Sequence, residues 1–446
     1  MANWLRKAYW NTFTLWHVRK EKGLPYRPLD EILALQNRRV RAIVTHAYAT
    51  VPYYREVMDG AGLRPDDFHN ADDLARLPLL TSEQVAREPQ RFLSRRYTEG
   101  HSLLLHSTGT SGHIKVIHYN PTALFLALAH GHRQRRVLAH FTGRTFGYCE
   151  MEARSLTSVS LQLRAFYEFH SWVPRTLDLT RGRLLLTDSI ENNVARINAF
   201  RPEVLLGYGS YLGVLFRRAH ERGLMSARPQ VVVYGADRMV EADRLLIETA
   251  FGVPVLSSYQ AVEALRIAFQ CEQRQGFHIS LDAVTVRVVD ERGRTLEPGG
   301  TGHVVISNLT NRAIVLLNYR LGDVATLSRS TCPCGRTLPT LEHIAGRSDD
   351  FISLPREQFL HAAVVEDVLE VVPGVVQIQL VQEELRRFVL RVVSVDGAAW
   401  PQVRQRSEAA LRTLLGTDCI LDLERLDAIP PESGGKVRTV ISYCCK

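Results

Sequence analysis

A chain of 446 residues is too long for one simple core, so two or three domains are expected. With 45% hydrophobic and 23% charged residues it has the balance of a soluble globular protein. The formal charge of +8 is modest and its basic residues are scattered. That gives nucleic-acid binding little support, and an anionic small-molecule substrate fits equally well.

The first residues, MANWLRKAYWNTFTLWHVRKEKG, lack the apolar centre and small-residue cleavage site of a signal peptide. A helix whose Trp4, Tyr9, Phe13 and Trp16 pack on the body is expected there, with a membrane-surface position as the alternative. No apolar run approaches the roughly 20 residues of a membrane span. Seven cysteines in a chain this long do not make a disulfide framework, which predicts a reducing, cytoplasmic compartment.

Residues 28–75 alternate helical patterns with turn signals, and LDEILALQNRRVRAIVTHAYATVPYYREVMDGAG within them reads as one or two amphipathic helices closed by Gly60 and Gly62. An apolar run then enters STGTSGHIK, residues 107–115, and residues 121–140 are helical in pattern. From residue 155 the runs SLTSVS, RLLLT, EVLLGYG, QVVVYGA and VPVLSSY are strand candidates, separated by helix-length stretches at 211–222 and 241–251. That alternation predicts an α/β domain with a mostly parallel sheet. Near residue 278 the pattern turns to strand, tight turn, strand, with Pro298, Gly299 and Gly300 at the bend. Beyond residue 346 the chain becomes a small α+β unit, with helices around 362–371 and 401–415 and strands around 375–382, 387–395 and 420–426. Two domains follow, 1–346 and 347–446.

Four stretches carry candidate chemistry. In STGTSG, Gly109 and Gly112 let the backbone turn its N–H groups toward an anion, and Ser107, Thr108, Thr110 and Ser111 add hydroxyl donors. The stretch does not match the GxxxxGK[ST] P-loop. Asp323, in Tyr319-Arg320-Leu321-Gly322-Asp323, can accept two hydrogen bonds from a ribose diol. Gly346-Arg347-Ser348-Asp349-Asp350 falls at the domain boundary, and Glu432-Ser433-Gly434-Gly435-Lys436 can deliver a cation from a mobile loop. Taken singly they have plainer readings: a loop, a turn cap, a linker and a frayed tail.

Cys271 and His278 flank the turn that opens the β-rich segment, and Cys332-Pro333-Cys334 follows later in it. Three thiolates and one imidazole suit a structural, tetrahedral Zn²⁺ that pins the β-rich part to the body. Buried free cysteines are the alternative.

In this order and spacing the four stretches resemble the adenylate-forming enzymes, the superfamily of acyl-CoA synthetases, luciferases and peptide-synthetase adenylation domains. The resemblance is to the phenylacetate–CoA ligase and coenzyme F390 synthetase branch. It extends to His46-Ala47-Tyr48, Val51-Pro52-Tyr53-Tyr54-Arg55, Leu77-Pro78-Leu79-Leu80-Thr81 and Cys332-Pro333-Cys334-Gly335-Arg336, and covers residue 30 to the C-terminus. It implies a large N-terminal domain of α/β layers with a β-rich subdomain, and a small mobile C-terminal domain.

The resemblance also implies roles. The 107–112 loop would hold ATP phosphates, with Lys115 as a nearby cation; Tyr259 would stack on adenine, and Glu263 would hold Mg²⁺. Gly235, Ala236 and Asp237 would lie beside the adenine, where relatives carry Glu rather than Asp. Asp323 would bind the ribose, Arg347 the ribose and phosphate region, and Asp349 would be the hinge. Lys436 would neutralise the α-phosphate as a carboxylate attacks it. Tyr208, Gly209 and Tyr211 would line the acid pocket, their rings suggesting an aromatic or flat acid.

The implied activity is ATP-dependent formation of an acyl-adenylate with release of pyrophosphate, then transfer to a thiol. Thioesterifying relatives have an Arg-Gly-x-Asn-like loop after the hinge, whereas this chain has Leu354-Pro355-Arg356-Glu357-Gln358-Phe359. That departure keeps CoA, a carrier-protein pantetheine and an amine all open as acceptors. A non-catalytic nucleotide-binding homologue is the remaining alternative, opposed by the intact set Glu263, Asp323, Arg347 and Lys436.

Overall fold

The computed structural model describes residues 3–97, 102–107, 115–154, 158–172, 181–186, 188–347, 351–354, 358–361, 365, 368–369, 371–394, 399–416, 418–429 and 438–444. The chain opens with helices α1 (Asn3–Glu21), α2 (Leu29–Thr50), α3 (Pro52–Gly60), α4 (Ser82–Arg87) and α5 (Pro89–Phe92). Pro52 and Pro89 stand at first helical turns, where a missing N–H costs nothing. Thr81 and Gln84 form a reciprocal capping box that starts α4.

A hairpin of β1 (Leu103–Ser107) and β2 (Lys115–Tyr119) precedes α6 (Pro121–Thr142). Next come β3 (Glu150–Arg154), α7 (Val159–His170), β4 (Arg181–Leu185), α8 (Ile190–Phe200), β5 (Val204–Tyr208) and α9 (Gly209–Glu221). Strand β6 (Val231–Gly235), α10 (Glu241–Ala250) and β7 (Val255–Tyr259) complete the parallel half of the main sheet. The antiparallel half is β8 (Ala268–Phe269), β9 (Phe277–Ile279), β10 (Val284–Val289), β11 (Thr301–Asn308), β12 (Tyr319–Leu327) and β13 (Thr340–Arg347). Together they make one eleven-stranded sheet in the order β10-β11-β12-β13-β9-β8-β7-β6-β5-β3-β4.

The apolar alternation of the central strands sorts their side chains to two faces. Val204, Val231, Val233 and Leu256 join a core with α2, α3 and α6, while Leu205, Val232 and Val255 join a second core with α8, α9 and α10. A third core is built only from residues between Ile352 and Val440. It lies within β14 (Phe351–Leu354), β15 (Gln358–His361), β16 (Val375–Glu384), β17 (Arg387–Ser394), α11 (Trp400–Leu415), β18 (Ile420–Leu426) and β19 (Val440–Ser442). Four of these strands form a sheet in the order β18-β17-β16-β19. This C-terminal sheet meets α9, where Val214 packs on Val376, Val393 and Ile429 and Arg217 Nη1 donates to Val376 O at 2.9 Å.

The α/β class, with a β-rich part and a smaller C-terminal unit, is as the sequence predicts. Two elements differ. Of the strand expected in SLTSVS, residues 155–157 lie outside the described residues, and Val159 starts helix α7. Strand β3, EMEAR, has no sequence signature because its face beyond the core is charged. Most of the helix expected over 362–371 lies outside the described residues.

Candidate functional site

The two halves of the sheet meet where β7 gives way to β8, and the site is built at the carboxyl ends of the parallel strands. Crevices at such ends are where open α/β sheets bind ligands. Three ionisable side chains converge there. On β2, Lys115, Ile117 and Tyr119 alternate inward, so the strand's first inward position buries an ammonium. Lys115 Nζ lies 2.5 Å from Glu263 Oε1 and donates to Tyr319 Oη at 2.8 Å. Tyr319 in turn donates to Glu263 Oε1 at 3.1 Å, closing a buried triangle. Asn308 Nδ2 fixes the loop by donating to Glu263 O at 2.9 Å, and Tyr119 Oη does the same to Val262 O at 2.8 Å.

Four residues along β12 from Tyr319, Asp323 Oδ2 accepts from Tyr259 Oη, at the end of β7, at 2.6 Å. Asp323 lies inside β12, opposite Arg347 in the β12–β13 register. The segment leading into β12 is held by short motifs from the start of the chain. His46 Nε2 donates to Arg312 O at 2.9 Å, Tyr54 Oη donates to Val315 O at 3.1 Å, and Leu317 N donates back to Tyr54 Oη at 2.8 Å. Leu80 forms a bridge to Tyr319 through Leu80 N to Asn318 O and Arg320 N to Leu80 O. The aromatic and Leu-Pro-Leu motifs thus position Tyr319 and Asp323 and are pins rather than ligands.

At the ends of β5 and β6 the backbones run close. A Cβ on Gly209 would lie 2.5 Å from Met239 N, so only glycine fits at that turn. The Asp237 carboxylate accepts from Gly209 N at 2.5 Å and from Ser210 Oγ, capping the start of α9. Ala236, between Gly235 and Asp237, has a φ of 72°, a left-handed conformation that costs a non-glycine residue about 1 kcal/mol. Tyr208 is buried beside these turns. Tyr211 points the other way, into the second core, and its hydroxyl accepts from Asn193 Nδ2 at 2.6 Å.

Thr108, Gly109, Thr110, Ser111, Gly112, Asp349 and Lys436 lie outside the described residues, as do Pro355, Arg356 and Glu357. Ser107 ends β1 in register with Lys115, and Arg347 ends β13.

A groove of about 320 Å³ beyond Tyr208 escaped sequence reasoning. It runs along β3 and β4, lined by Glu150, Glu152, Arg154, Arg164, Arg181 and Arg183. The β3–β5 register pairs Glu152 with Leu206, which sets Arg154 near Tyr208 on the sheet. Arg154 is 6% exposed, and burial followed by repulsion from Arg183 lowers its guanidinium to about 10. Its signal, alternating charges in EMEAR and RGR, is legible only once the strands are known.

The third predicted constellation is also assembled. Ligand atoms of Cys271, His278, Cys332 and Cys334 all lie within 4.8 Å of one another. Cys271 and Cys332 sulfurs are 3.6 Å apart, and Cys334 Sγ is 3.3 Å from His278 Nε2. A tetrahedral ion with bonds of about 2.3 Å to sulfur sets two sulfurs about 3.8 Å apart, so the donor set fits zinc. Burial lowers the His278 imidazole to about 4, keeping it neutral, and pushes the Cys271 thiol up to about 12. Burial opposes ionisation of Cys334 too, but hydrogen bonding from Arg336 outweighs it and lowers that thiol. His278 Nδ1 faces Leu338 O at 3.3 Å, which orients the ring.

The fold is shared with solved adenylate-forming ligases. The crystal structure of 2-hydroxyisobutyryl-CoA ligase in the postadenylation state, in complex with R3-HIB-AMP, matches with a TM-score of 0.75 at 19% identity, covering 94% of this chain and 90% of that one. The sequence narrows the likeness. Phenylacetate-coenzyme A ligase of Thermus thermophilus is 29% identical over 368 residues, 78% of this chain and 77% of that protein. The Escherichia coli enzyme of the same name is 26% identical over 359 residues, 77% of each. Residues 352–443 match the CapK C-terminal domain family. In sequence, then, the chain is similar to phenylacetate–CoA ligases, and its fold is that of a solved acyl-CoA ligase.

Proposed function

We propose that this protein is an AMP-forming ligase that activates a carboxylic acid with ATP and passes the acyl group to the thiol of CoA. The observation that carries the reading is the meeting of Tyr259 with Asp323, and of Lys115 with Glu263, at the end of the parallel strands. In the first step a carboxylate oxygen bonds to the α-phosphorus, the bond to the β-phosphate bridge breaks, and pyrophosphate leaves. In the second the thiol sulfur attacks the acyl carbon, its proton is lost, and AMP leaves.

Joining two anions depends on positioning and on positive charge. In this reading Tyr259 and Asp323 hold adenine and ribose, Arg347 reaches ribose and phosphate, and the 107–112 loop takes the phosphates. Lys436 supplies the α-phosphate cation after rotation of the C-terminal unit about Asp349. Glu263 would hold Mg²⁺, which supplies charge neutralisation at the phosphates. Zinc at Cys271, His278, Cys332 and Cys334 would tie the β12–β13 loop to β9. Arg336 N donates to Cys334 Sγ beside this group, and Thr337 N pins the loop to Pro25 O.

Relatives named as CoA ligases favour CoA over a carrier-protein pantetheine or an amine. The deciding experiment incubates ATP and CoA with a panel of aryl acids and of acids bearing a second anionic group, which the arginine groove would suit. Acid-dependent AMP together with an acyl-CoA product supports the reading; an amide product, or AMP without thioester, would redirect it.

A further inference from the structure

Helix α1 is docked by one face and bare on the other. On the docked face the Trp10 ring stacks on Phe125 of α6 with centroids 4.5 Å apart, and Phe13 packs on the same core. At its end, Glu21 is buried among His130 at 2.7 Å, Arg39 at 3.2 Å and Arg133 at 3.7 Å. Burial alone would raise this carboxyl, but hydrogen bonds from His130 and His17 hold it well below the usual range. These contacts fix how α1 is rotated.

At about 100° per residue, Trp4, Leu5, Tyr9, Thr12, Leu15, Trp16 and Arg19 then share the outward face. Trp4 and Leu15 are each 62% exposed, Tyr9 58% and Trp16 54%. Helix α7 lies alongside, with Lys7 Nζ donating to Glu168 O at 3.3 Å, and its end adds exposed Phe169 and Trp172. Of the five tryptophans in the chain, the three exposed ones are Trp4 and Trp16 on α1 and Trp172 just beyond the end of the neighbouring α7. A contiguous apolar face of this kind marks an interaction surface.

Charge identifies the occupant. Arg6, Lys7, Arg19 and Lys20 border the face, and the helix's one acid, Glu21, is turned inward and paired. Arg6 stands 4.8 Å over the Phe169 ring and Lys20 4.5 Å over the Trp16 ring. Two copies of the chain meeting by this face would oppose cation to cation. Indole and phenol rings interleaved with Lys and Arg suit the headgroup level of an anionic bilayer. We propose that α1 seats the protein in the plane of an anionic lipid surface, with Trp4, Leu15 and Trp16 entering the boundary between headgroups and acyl chains. The positive charge supplies long-range attraction and the rings supply the apolar contact.

The test is co-sedimentation of the full chain with phosphatidylcholine vesicles, with and without roughly a third phosphatidylglycerol. Binding is expected only to the anionic vesicles, weakening with added salt. Trp4→Ala with Trp16→Ala, and separately Arg19→Glu with Lys20→Glu, should each lower the partition coefficient about tenfold or more. Both pairs are exposed, so far-UV circular dichroism and turnover in solution should be unchanged. Failure of the wild type to bind anionic vesicles, or equal binding by the variants, would overturn the proposal. So would a dimer in solution that the tryptophan variants abolish.

Discussion

Lys115 holds a buried carboxylate that also accepts from the Tyr319 phenol, so replacing it with methionine has a cost that can be worked through. Lys115 and Glu263 side chains are 4% and 6% exposed, with nitrogen and oxygen 2.5 Å apart. Removing one partner of such a pair leaves a charge in the interior, at a cost of about 3–5 kcal/mol. The orphaned carboxyl can escape by taking a proton. From an ordinary carboxyl pKa near 4.3 that costs about 3.7 kcal/mol at pH 7 but only about 1 kcal/mol at pH 5. In the variant the carboxyl binds its proton more tightly folded than unfolded. The deficit is therefore absent below about pH 4 and grows as pH rises. Lys115→Met should thus destabilise by about 3–4 kcal/mol at pH 7 and about 1 kcal/mol at pH 5. Urea unfolding of wild type and variant at both pH values measures this, and Lys115→Met with Glu263→Gln should recover most of the loss. A loss under about 1 kcal/mol at pH 7, or an equal loss at both pH values, would refute the buried pairing.

Asp323→Ala should weaken ATP binding about tenfold or more by calorimetry, since a charged acceptor for the ribose is lost; unchanged affinity would move the ribose site elsewhere. The purified protein should carry about one zinc per chain by elemental analysis, and Cys332→Ser should release it and lower thermal stability. Lys436→Ala should slow adenylation about a hundredfold or more with ATP affinity nearly unchanged. Supplied acyl-adenylate should still be consumed by that variant, and equal loss in both half-reactions would remove this lysine from the adenylation step.

The apolar strands were legible because Val204, Val231, Val233 and Val255 lie in runs that only a buried parallel sheet explains. Strand β3 was not, because Glu150, Glu152 and Arg154 face a polar groove and imitate a loop. The zinc-type cluster was legible from residue chemistry, although its members come from β9 and two loops. Lys115 was read as a cation near the phosphates; its contacts with Glu263 and Tyr319 join residues 148 and 204 positions apart, which no local pattern encodes. Helix α1 was half legible: Phe13 packs on the body as expected, whereas Trp4, Tyr9 and Trp16 do not. Which face of a helix with aromatic rings on both sides is covered is settled by tertiary partners, here Phe125 and the ion cluster at Glu21.

Central to the account is that ATP is split at the α-phosphorus by an acid, before any acceptor is needed. ATP–pyrophosphate exchange with purified protein, an acid panel and no CoA tests this directly. The account expects exchange that depends on one class of acid, falls about tenfold or more in Asp323→Ala at low ATP, and needs no thiol. ADP formation, or the absence of acid-dependent exchange in a protein that binds ATP, would contradict it.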